Sequence, residues 1–290
     1  MNKIISLFSH IHIHPLLWFV IAIAVLTARF IELCLLLLII FVHEMGHAAA
    51  ASFFSWRIKK FSLLPFGGVM EVEEHGNRPL IEEGAVILAG PFQHFWMMGL
   101  AFLFYKLSLL PDYWYGLFIQ YNFMILIFNF LPIWPLDGGK LLFLMFSLKR
   151  SFPEAHKITL LISICSIVLF TFITLMTAPV NLNVWIVIVF LAYSVYNEWK
   201  QMRFVFIRFL LERYYGKNSD FRSLKPIIVS EDELVIKILE RFQRGCKHPI
   251  IIEKNGKEKG SLDENELLHA YFTEKMTSAK AGDLLYTYKW

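Results

Sequence analysis

The chain has 290 residues, of which 57% are hydrophobic and 18% charged, and its formal net charge at pH 7 is only +4. Charged side chains number 22 in residues 1–199 and 30 in residues 200–290. This composition excludes a disordered chain, a disulfide-stabilised scaffold and an enzyme that is soluble throughout, and the small charge gives no indication of nucleic-acid binding. The sequence predicts a polytopic α-helical membrane protein with a small soluble α/β domain at its C-terminal end.

Six apolar stretches are candidates for crossing a bilayer, which takes about 20 residues in a helix. They cover residues 14–28, 31–54, 84–106, 114–131, 157–177 and 180–199. The fourth runs on towards residue 147 but is interrupted by prolines and a glycine pair. Helices are expected because lipid cannot satisfy an open backbone. We therefore predict about six transmembrane helices within a membrane domain that covers residues 1–199.

Basic residues are concentrated in alternate loops, which predicts the orientation of the spans. They lie in 55–83, in 148–157 and after residue 199, whereas the other connections contain few. Loops rich in lysine and arginine stay on the cytoplasmic side. Both termini are therefore predicted to be cytoplasmic, which agrees with an even number of spans.

The loop 55–83 carries Gly67 and Gly68, followed by residues of alternating character up to Val72. This pattern predicts a turn and a short strand. Because spans flank the loop, it either dips back into the membrane under protein cover or is an ordinary cytoplasmic loop, and the sequence leaves both open. Two polar clusters, one before the first span and one in this loop, are interpreted as surface or solvated groups rather than metal sites: His10, His12 and His14, and Glu71, Glu73, Glu74 and His75.

Beyond the last span, residues 200–223 are basic and aromatic, which predicts a linker helix that either continues out of the bilayer or lies at its surface. Residues 224–272 are predicted to form a small α/β module with strands at 226–229 and 248–253. Residues 273–290 are set apart as a C-terminal tail.

Two helices of this module are predicted from their N-terminal signals. Ser230 with Glu233, and Ser261 with Glu264, match the capping-box pattern in which a hydroxyl and a carboxylate satisfy the first backbone N–H groups of a helix. We expect one helix to follow each pair.

The strongest chemical signal is the H-E-x-x-H motif at His43–His47, inside the second apolar stretch. Residues four apart lie on nearly the same face of a helix, so both imidazoles can hold one Zn²⁺. Glu44 beside them can take a proton from a bound water. Three ionisable groups within five residues of an apolar helix are costly unless they bind something. We therefore predict a metal site with His43 and His47 as ligands.

A catalytic zinc needs three protein ligands and an open position. The best candidate for the third ligand is Asp137, in a stretch broken by proline and glycine, and such breaks are tolerated at membrane depth where the backbone lines a polar cavity. Asn129 lies in the same stretch and can exchange hydrogen bonds with a polarised carbonyl or with substrate backbone. Without the histidine motif, Asp137 would be interpreted as a turn residue at the end of a helix.

The H-E-x-x-H motif in an early span and the N-x-x-P-x-x-x-L-D-G motif beginning at Asn129 together resemble the site-2 protease family of intramembrane zinc metalloproteases. Within it, the chain is similar to the sporulation branch that carries a C-terminal cystathionine-β-synthase-type (CBS) domain. The family core covers about residues 10–150 and the CBS-like module 224–272. Many members have an asparagine soon after a Gly-Pro pair in the third span, but here Gly90–Pro91 is followed by residues 92–94, Phe-Gln-His.

The resemblance implies hydrolysis of a peptide bond in or near the membrane, with one zinc held by His43, His47 and Asp137 and with Glu44 as general base. Four further residues are expected to contact the substrate or the transition state: Asn129, Pro135, Gly67 and Gly68.

The resemblance also implies partners and a cellular setting. The implied substrate is the membrane-associated precursor of a late mother-cell sigma factor, pro-sigma-K, processed at the membrane that surrounds the forespore. Membrane inhibitor proteins are implied to hold the protease inactive, and ATP is the implied ligand of the CBS-like module. CBS motifs usually work in pairs, so a single module predicts a homo-oligomer.

Two other classes of function use the same residues. A membrane metal-binding protein or transporter without hydrolytic activity would use the same ligands but would not need Glu44 as a base. A nucleotide-sensing scaffold with an inactive protease core is disfavoured because both motifs are intact.

Overall fold

The structure is a computed structural model, and it describes residues 11–13, 25–27, 29–56, 58–64, 67–72, 78–216, 223–254 and 256–288. The helices, in chain order, are α1 (Phe30–Phe53), α2 (Leu80–Lys106), α3 (Asp112–Asn129), α4 (Asp137–Ser147), α5 (Phe152–Thr177), α6 (Leu182–Tyr215), α7 (Val235–Leu239), α8 (Glu264–Phe272) and α9 (Ala281–Tyr288). The strands are β1 (Ile11–Ile13), β2 (Ile58–Leu64), β3 (Gly67–Val72), β4 (Ser223–Leu224), β5 (Ile227–Ser230), β6 (Cys246–Lys247), β7 (Ile250–Lys254) and β8 (Lys257–Leu262).

In the described part of the chain, four helices are long and apolar enough to cross a membrane: α1, α2, α5 and α6. They correspond to four of the six predicted spans. The predicted span 14–28 lies outside the described residues apart from 25–27. The stretch 114–131 forms α3, whose 18 residues include Gln120 and Asn122, and the chain then turns before α4. Helix α3 is not among these four, so a total of six spans stays a prediction.

The chain forms two compact units. The first contains the described residues within 1–74, 81–141 and 163–193, and the second those within 75–80, 142–162 and 194–290.

In the first unit, α1, α2 and α3 pack around one cluster of buried apolar side chains: Ile39, Ile40, Met97 and Ile125. A glycine brings α1 close to α2, because a Cβ at Gly46 would overlap the side chain of Gln93 and crowd the carbonyl oxygen of Ala89. The H-E-x-x-H segment of α1 is therefore held directly against α2.

Three strands form a small sheet in the order β1–β2–β3. Strands β1 and β2 are parallel, and β2 and β3 are antiparallel. The predicted strand up to Val72 is present, but the glycine pair belongs to this strand rather than to a turn, because Gly67 pairs with Leu64 and Gly68 with Leu63. Strands β2 and β3 both contact α1. Of the polar clusters named above, residues 10, 14 and 73–75 lie outside the described residues.

The C-terminal module, defined as 223–254 and 256–288, lies in the second unit. Strand β7 is the centre of its larger sheet, parallel to β5 and antiparallel to β8, and β4 pairs with β6. The two predicted strands correspond to β5 and β7, while β8 was not predicted. The segment set apart as a tail contains α9, whose Leu284 and Leu285 are buried, so the folded module extends beyond residue 272.

Both predicted capping boxes are wrong. Helix α7 begins at Val235 without a side-chain cap, because Ser230 ends β5 and the chain turns before the helix. Helix α8 has a complete capping box, but its members are Asp263 and Glu266. Ser261 is paired within β8, so the helix starts after the strand ends. The predicted caps lie four residues before the actual N-cap of α7, Leu234, and two residues before that of α8, Asp263.

The predicted linker helix continues from the last span, since α6 runs without a break to Tyr215. In the second unit its end is joined to the C-terminal module by a buried ion pair between Arg213 and Glu264. The same guanidinium donates to the carbonyl oxygens of Gln243, at 2.8 Å, and Cys246. A buried charge pair is tolerated when further hydrogen bonds satisfy both partners. Arg213 therefore ties the module to the extension of α6.

Candidate metal centre

Helix α1 carries His43 and His47 one turn apart, and both side chains are buried. Four residues advance an α-helix by about 6 Å and return to nearly the same face. The two imidazoles accordingly face one side of α1, with their Nε2 atoms 3.1 Å apart. Helical geometry alone thus supplies two of the three groups that a catalytic zinc site requires.

The third group is Asp137, the first residue of α4, whose side chain is also buried. Its Oδ2 atom lies 3.1 Å from Nε2 of His47 and 3.2 Å from Nε2 of His43. The turn before α4 is held by a 3.0 Å hydrogen bond that the Trp134 backbone N–H donates to the Ser163 hydroxyl. The three ligand atoms lie within 4.8 Å of one another, so the fold brings together groups that are 90 residues apart.

The hydrogen bond of His47 decides which of its ring nitrogens carries the proton. Nδ1 lies 2.7 Å from the carbonyl oxygen of Val86, and a carbonyl oxygen only accepts, so Nδ1 donates. In the neutral ring Nε2 keeps its lone pair, which is directed at the Asp137 carboxylate. Two acceptors in contact repel each other unless a cation or a proton lies between them. Two imidazoles and one carboxylate are a ligand set of catalytic zinc, so these residues fit the metal.

Glu44 and Lys140 flank the three ligand atoms. The Glu44 side chain is 8% exposed, and helical geometry sets it about 60° around the α1 axis from His47. A carboxylate in this position can exchange a proton with a water in the site. Lys140 is half-exposed, and its Nζ lies 3.4 Å from Oδ1 of Asp137, the carboxylate oxygen that does not contact the histidines.

Gly90 of α2 lies in close contact with the imidazole of His47. A Cβ added at Gly90 would overlap the imidazole of His47. The same ring is held from α2 by the carbonyl of Val86, four residues earlier. Helix α2 therefore positions His47 twice, by a hydrogen bond and by the absence of a side chain at Gly90.

The four residues predicted to contact substrate lie in two parts of the first unit. Asn129 is the last residue of α3, and its Nδ2 donates to the carbonyl oxygen of Ile125 at 3.1 Å. Pro135 lies in the turn between α3 and α4, two residues before the carboxylate of Asp137. Gly67 and Gly68 begin β3, the strand that contacts α1.

Sequence reasoning missed two buried polar residues next to the histidines, His94 and Asn122. His94 lies on α2 with its Nε2 3.1 Å from Nδ1 of His43, and its Nδ1 is 3.0 Å from Oδ1 of Asn122 on α3. The available signal was their polarity, since uncharged polar groups inside apolar helices need partners. His94 is also the third residue after Pro91, in the segment where the related family pattern has an asparagine.

The chain is similar to a known protein family and to named relatives of known class. The sequence profile of Peptidase family M50 matches residues 31–112 and 108–172. Stage IV sporulation protein FB of Bacillus subtilis is 50% identical over 288 residues, which are 99% of this chain and 100% of that protein. A zinc metalloprotease of Methanocaldococcus jannaschii is 25% identical over 243 residues, 79% of this chain and 65% of its own length.

A solved structure, the site-2 protease from Methanocaldococcus jannaschii, has a TM-score of 0.53 at 24% identity and covers 65% of this chain and 89% of its own. This likeness supports the fold alone. The family rests on the full-length identity with the Bacillus subtilis protein, and the four long apolar helices agree with an integral membrane protein. The chain therefore belongs to peptidase family M50, the site-2 protease family, and is an intramembrane zinc metalloprotease.

Proposed function

We propose that this protease hydrolyses a peptide bond of a membrane-associated protein, with His43, His47 and Asp137 as zinc ligands and Glu44 as general base. The observation that carries the proposal is the convergence of three buried ligand atoms within 4.8 Å of one another. A zinc held by these three residues would keep a further position for water or substrate, as in catalytic zinc sites.

When bound, zinc polarises the scissile carbonyl and makes hydroxide available near neutral pH. Glu44 takes the proton of the attacking water and later gives it to the leaving amine. Glu44→Gln keeps the shape of the side chain but cannot hold that proton, so this variant retains metal and loses turnover.

Asn129 and Pro135 are assigned to the substrate-binding side of the site. The Asn129 amide already donates to its own helix at Ile125, which orients the side chain and leaves its carbonyl oxygen to accept from a substrate N–H. Pro135 lies in the turn between α3 and α4 and helps to place Asp137 at the start of α4. Asn129→Leu is therefore expected to reduce cleavage without reducing zinc content.

Strand β3, beginning at Gly67 and Gly68, is proposed to hold the unwound segment of the substrate by β-addition. In the described residues β3 pairs with β2 alone, which leaves it as an edge strand, and it contacts α1. Extended segments add to such edges through main-chain hydrogen bonds. N–H groups of an antiparallel strand alternate between its two edges. Single prolines at positions 69–72 should impair cleavage at alternate positions, without loss of zinc.

The physiological substrate is proposed from the relative that shares half of its residues, stage IV sporulation protein FB. We expect the chain to remove the prosequence of pro-sigma-K at the forespore-surrounding membrane, with both termini on the mother-cell side and with membrane inhibitor proteins controlling it. The test is co-production with membrane-tethered pro-sigma-K in a host that lacks both proteins, beside Glu44→Gln. A shorter product with the parent chain alone supports the proposal, and absence of product from a zinc-loaded parent contradicts this substrate.

The C-terminal module is proposed to act as a CBS-like regulatory domain that binds ATP and pairs with the module of a second chain. The side chains of Leu224 and Ile228 are exposed on its strands, and an apolar exposed surface favours self-association. Cross-linking of an active preparation tests the pairing, and monomers alone would contradict it. Calorimetric titration of the full chain with ATP tests the ligand.

A further inference from the structure

A chain of hydrogen bonds leads from the candidate metal ligand His43 into α3. Its members beyond His43 are neither metal ligands nor the catalytic base. Nδ1 of His43 lies 3.1 Å from Nε2 of His94, and Nδ1 of His94 lies 3.0 Å from Oδ1 of Asn122. Nδ2 of Asn122 donates to the carbonyl oxygen of Phe118 at 2.9 Å. His94 and Asn122 are completely buried, so water cannot substitute for these partners.

The Phe118 carbonyl, at the far end of this chain of hydrogen bonds, determines which atom carries the proton at each step. The Phe118 carbonyl accepts only, so the Asn122 amide must direct Nδ2 towards it and Oδ1 towards His94. An oxygen at that position requires a proton on Nδ1 of His94. With the single proton of a neutral ring placed there, Nε2 of His94 is an acceptor.

The same reasoning continues to the metal ligand. Because Nε2 of His94 accepts, Nδ1 of His43 must donate. The lone pair of His43 is then on Nε2, the atom that lies 3.2 Å from Oδ2 of Asp137. His43 is thereby fixed in the tautomer that a metal at this site needs, as His47 is by the carbonyl of Val86.

We propose that His94, held by Asn122, is a positioning residue that fixes the tautomer and ring orientation of the zinc ligand His43. This inference rests on the proposed metal site but adds two residues to which no role was assigned. Partners that hydrogen-bond to metal-ligating histidines typically change metal affinity about 10- to 100-fold when they are replaced. Loss of the acceptor at position 94 should therefore weaken zinc binding by that factor.

The experiment measures zinc affinity by competition with a chelator, and zinc dissociation rate, for the purified full-length chain in detergent. His94→Leu removes the acceptor, whereas His94→Gln keeps an oxygen that can reach Nδ1 of His43. Met97→Ala is the matched control, because Met97 is buried one turn further along α2, in the same apolar cluster as Ile39 and Ile125, and makes none of the hydrogen bonds of the chain. Substitution by Co²⁺ adds a spectroscopic comparison of the ligand geometry.

The expected result is a roughly 10- to 100-fold weaker zinc affinity for His94→Leu, near wild-type affinity for His94→Gln, and no change for Met97→Ala. The Co²⁺ spectrum should change in His94→Leu alone. Where His94→Leu fails to fold, Asn122→Leu replaces it and should weaken zinc binding in the same direction.

Two results would overturn the inference. One is wild-type zinc affinity in a folded His94→Leu or Asn122→Leu chain, and the other is an equal loss in Met97→Ala, which would mean a packing effect alone. The unmodified chain distinguishes this inference from the proposed function. If it does not bind one zinc, the proposed metal site is contradicted. If it and the His94→Leu variant bind zinc equally, only the role of His94 is contradicted.

Discussion

Replacing Gly90 by alanine tests how closely α2 must approach the His47 side chain of α1. The added Cβ would overlap the His47 imidazole. The ring cannot simply move away, because its Nδ1 is held at 2.7 Å from the carbonyl of Val86 on the same helix as Gly90. Relief therefore requires either rotation of His47 out of the metal-binding orientation or separation of α1 from α2.

The size of the effect follows from the cost of overpacking a close contact, which is about 1–3 kcal/mol. If His47 escapes the strain by rotating away, that cost must be met again whenever zinc binds. At about 1.4 kcal/mol for each factor of ten, zinc affinity should fall roughly 5- to 140-fold. Cleavage should fall with it, and excess zinc should restore part of the activity.

The assay is competition between the purified chain and a chromophoric chelator, with Gly99→Ala as the matched control. Gly99 lies on the same helix, and a Cβ there meets no atom of the described residues within 4 Å. The control should bind zinc as the parent does. Equal zinc affinities for Gly90→Ala and Gly99→Ala would refute the contact between α2 and His47 as the determinant of metal binding.

Three further predictions concern other parts of the chain. Asp137→Asn should weaken zinc binding by more than the roughly 100-fold that is typical when a residue that only hydrogen-bonds to a metal ligand is replaced. The measurement is the same competition with a chelator. Arg213→Met leaves Glu264 buried without its cation and should destabilise the C-terminal module by about 3–5 kcal/mol, measured by hydrogen exchange. Burial lowers the pKa of His248, whose Nε2 accepts the Gln243 N–H, so module stability should be full above pH 6.5 and fall as the pH drops below it.

Each of these has a result that would contradict it. Asp137→Asn with parental zinc affinity would remove that residue from the ligand set. Unchanged exchange protection in Arg213→Met would mean that the ion pair with Glu264 contributes no stability. For His248, protection corrected for intrinsic exchange should fall between pH 7.5 and 5.5 in the parent and stay flat in His248→Gln; equal slopes would assign the pH dependence to other groups.

The sequence indicated the two histidines, Glu44 and Asp137 as candidate site residues because each signal is short and chemical. Two imidazoles one turn apart meet through helical geometry alone. Asp137 was identified from its unusual surroundings, a carboxylate in a broken apolar stretch, although its contact with residues 90 positions away depends on the tertiary fold.

What could not be predicted depends on packing between elements. The partners of the zinc-site histidines, Val86 and His94, come from α2, and no local pattern in α1 specifies them. Likewise, Ser261 matches a helix cap, but pairing of β8 with β7 takes it into a strand and moves the cap to Asp263. Helix α9 escaped prediction because its few buried residues, such as Leu284, form too short a pattern to identify before the sheet is known.

The most direct test of the metalloprotease site is zinc reconstitution of the purified chain with purified membrane-tethered substrate. Chelator-treated parent and Glu44→Gln chains would be titrated with zinc while bound metal and cleaved product are measured together. The account predicts that both chains take up one zinc, that cleavage by the parent rises to its full value at one equivalent, and that Glu44→Gln stays inactive. Cleavage by the metal-free parent, or by zinc-loaded Glu44→Gln, would contradict it.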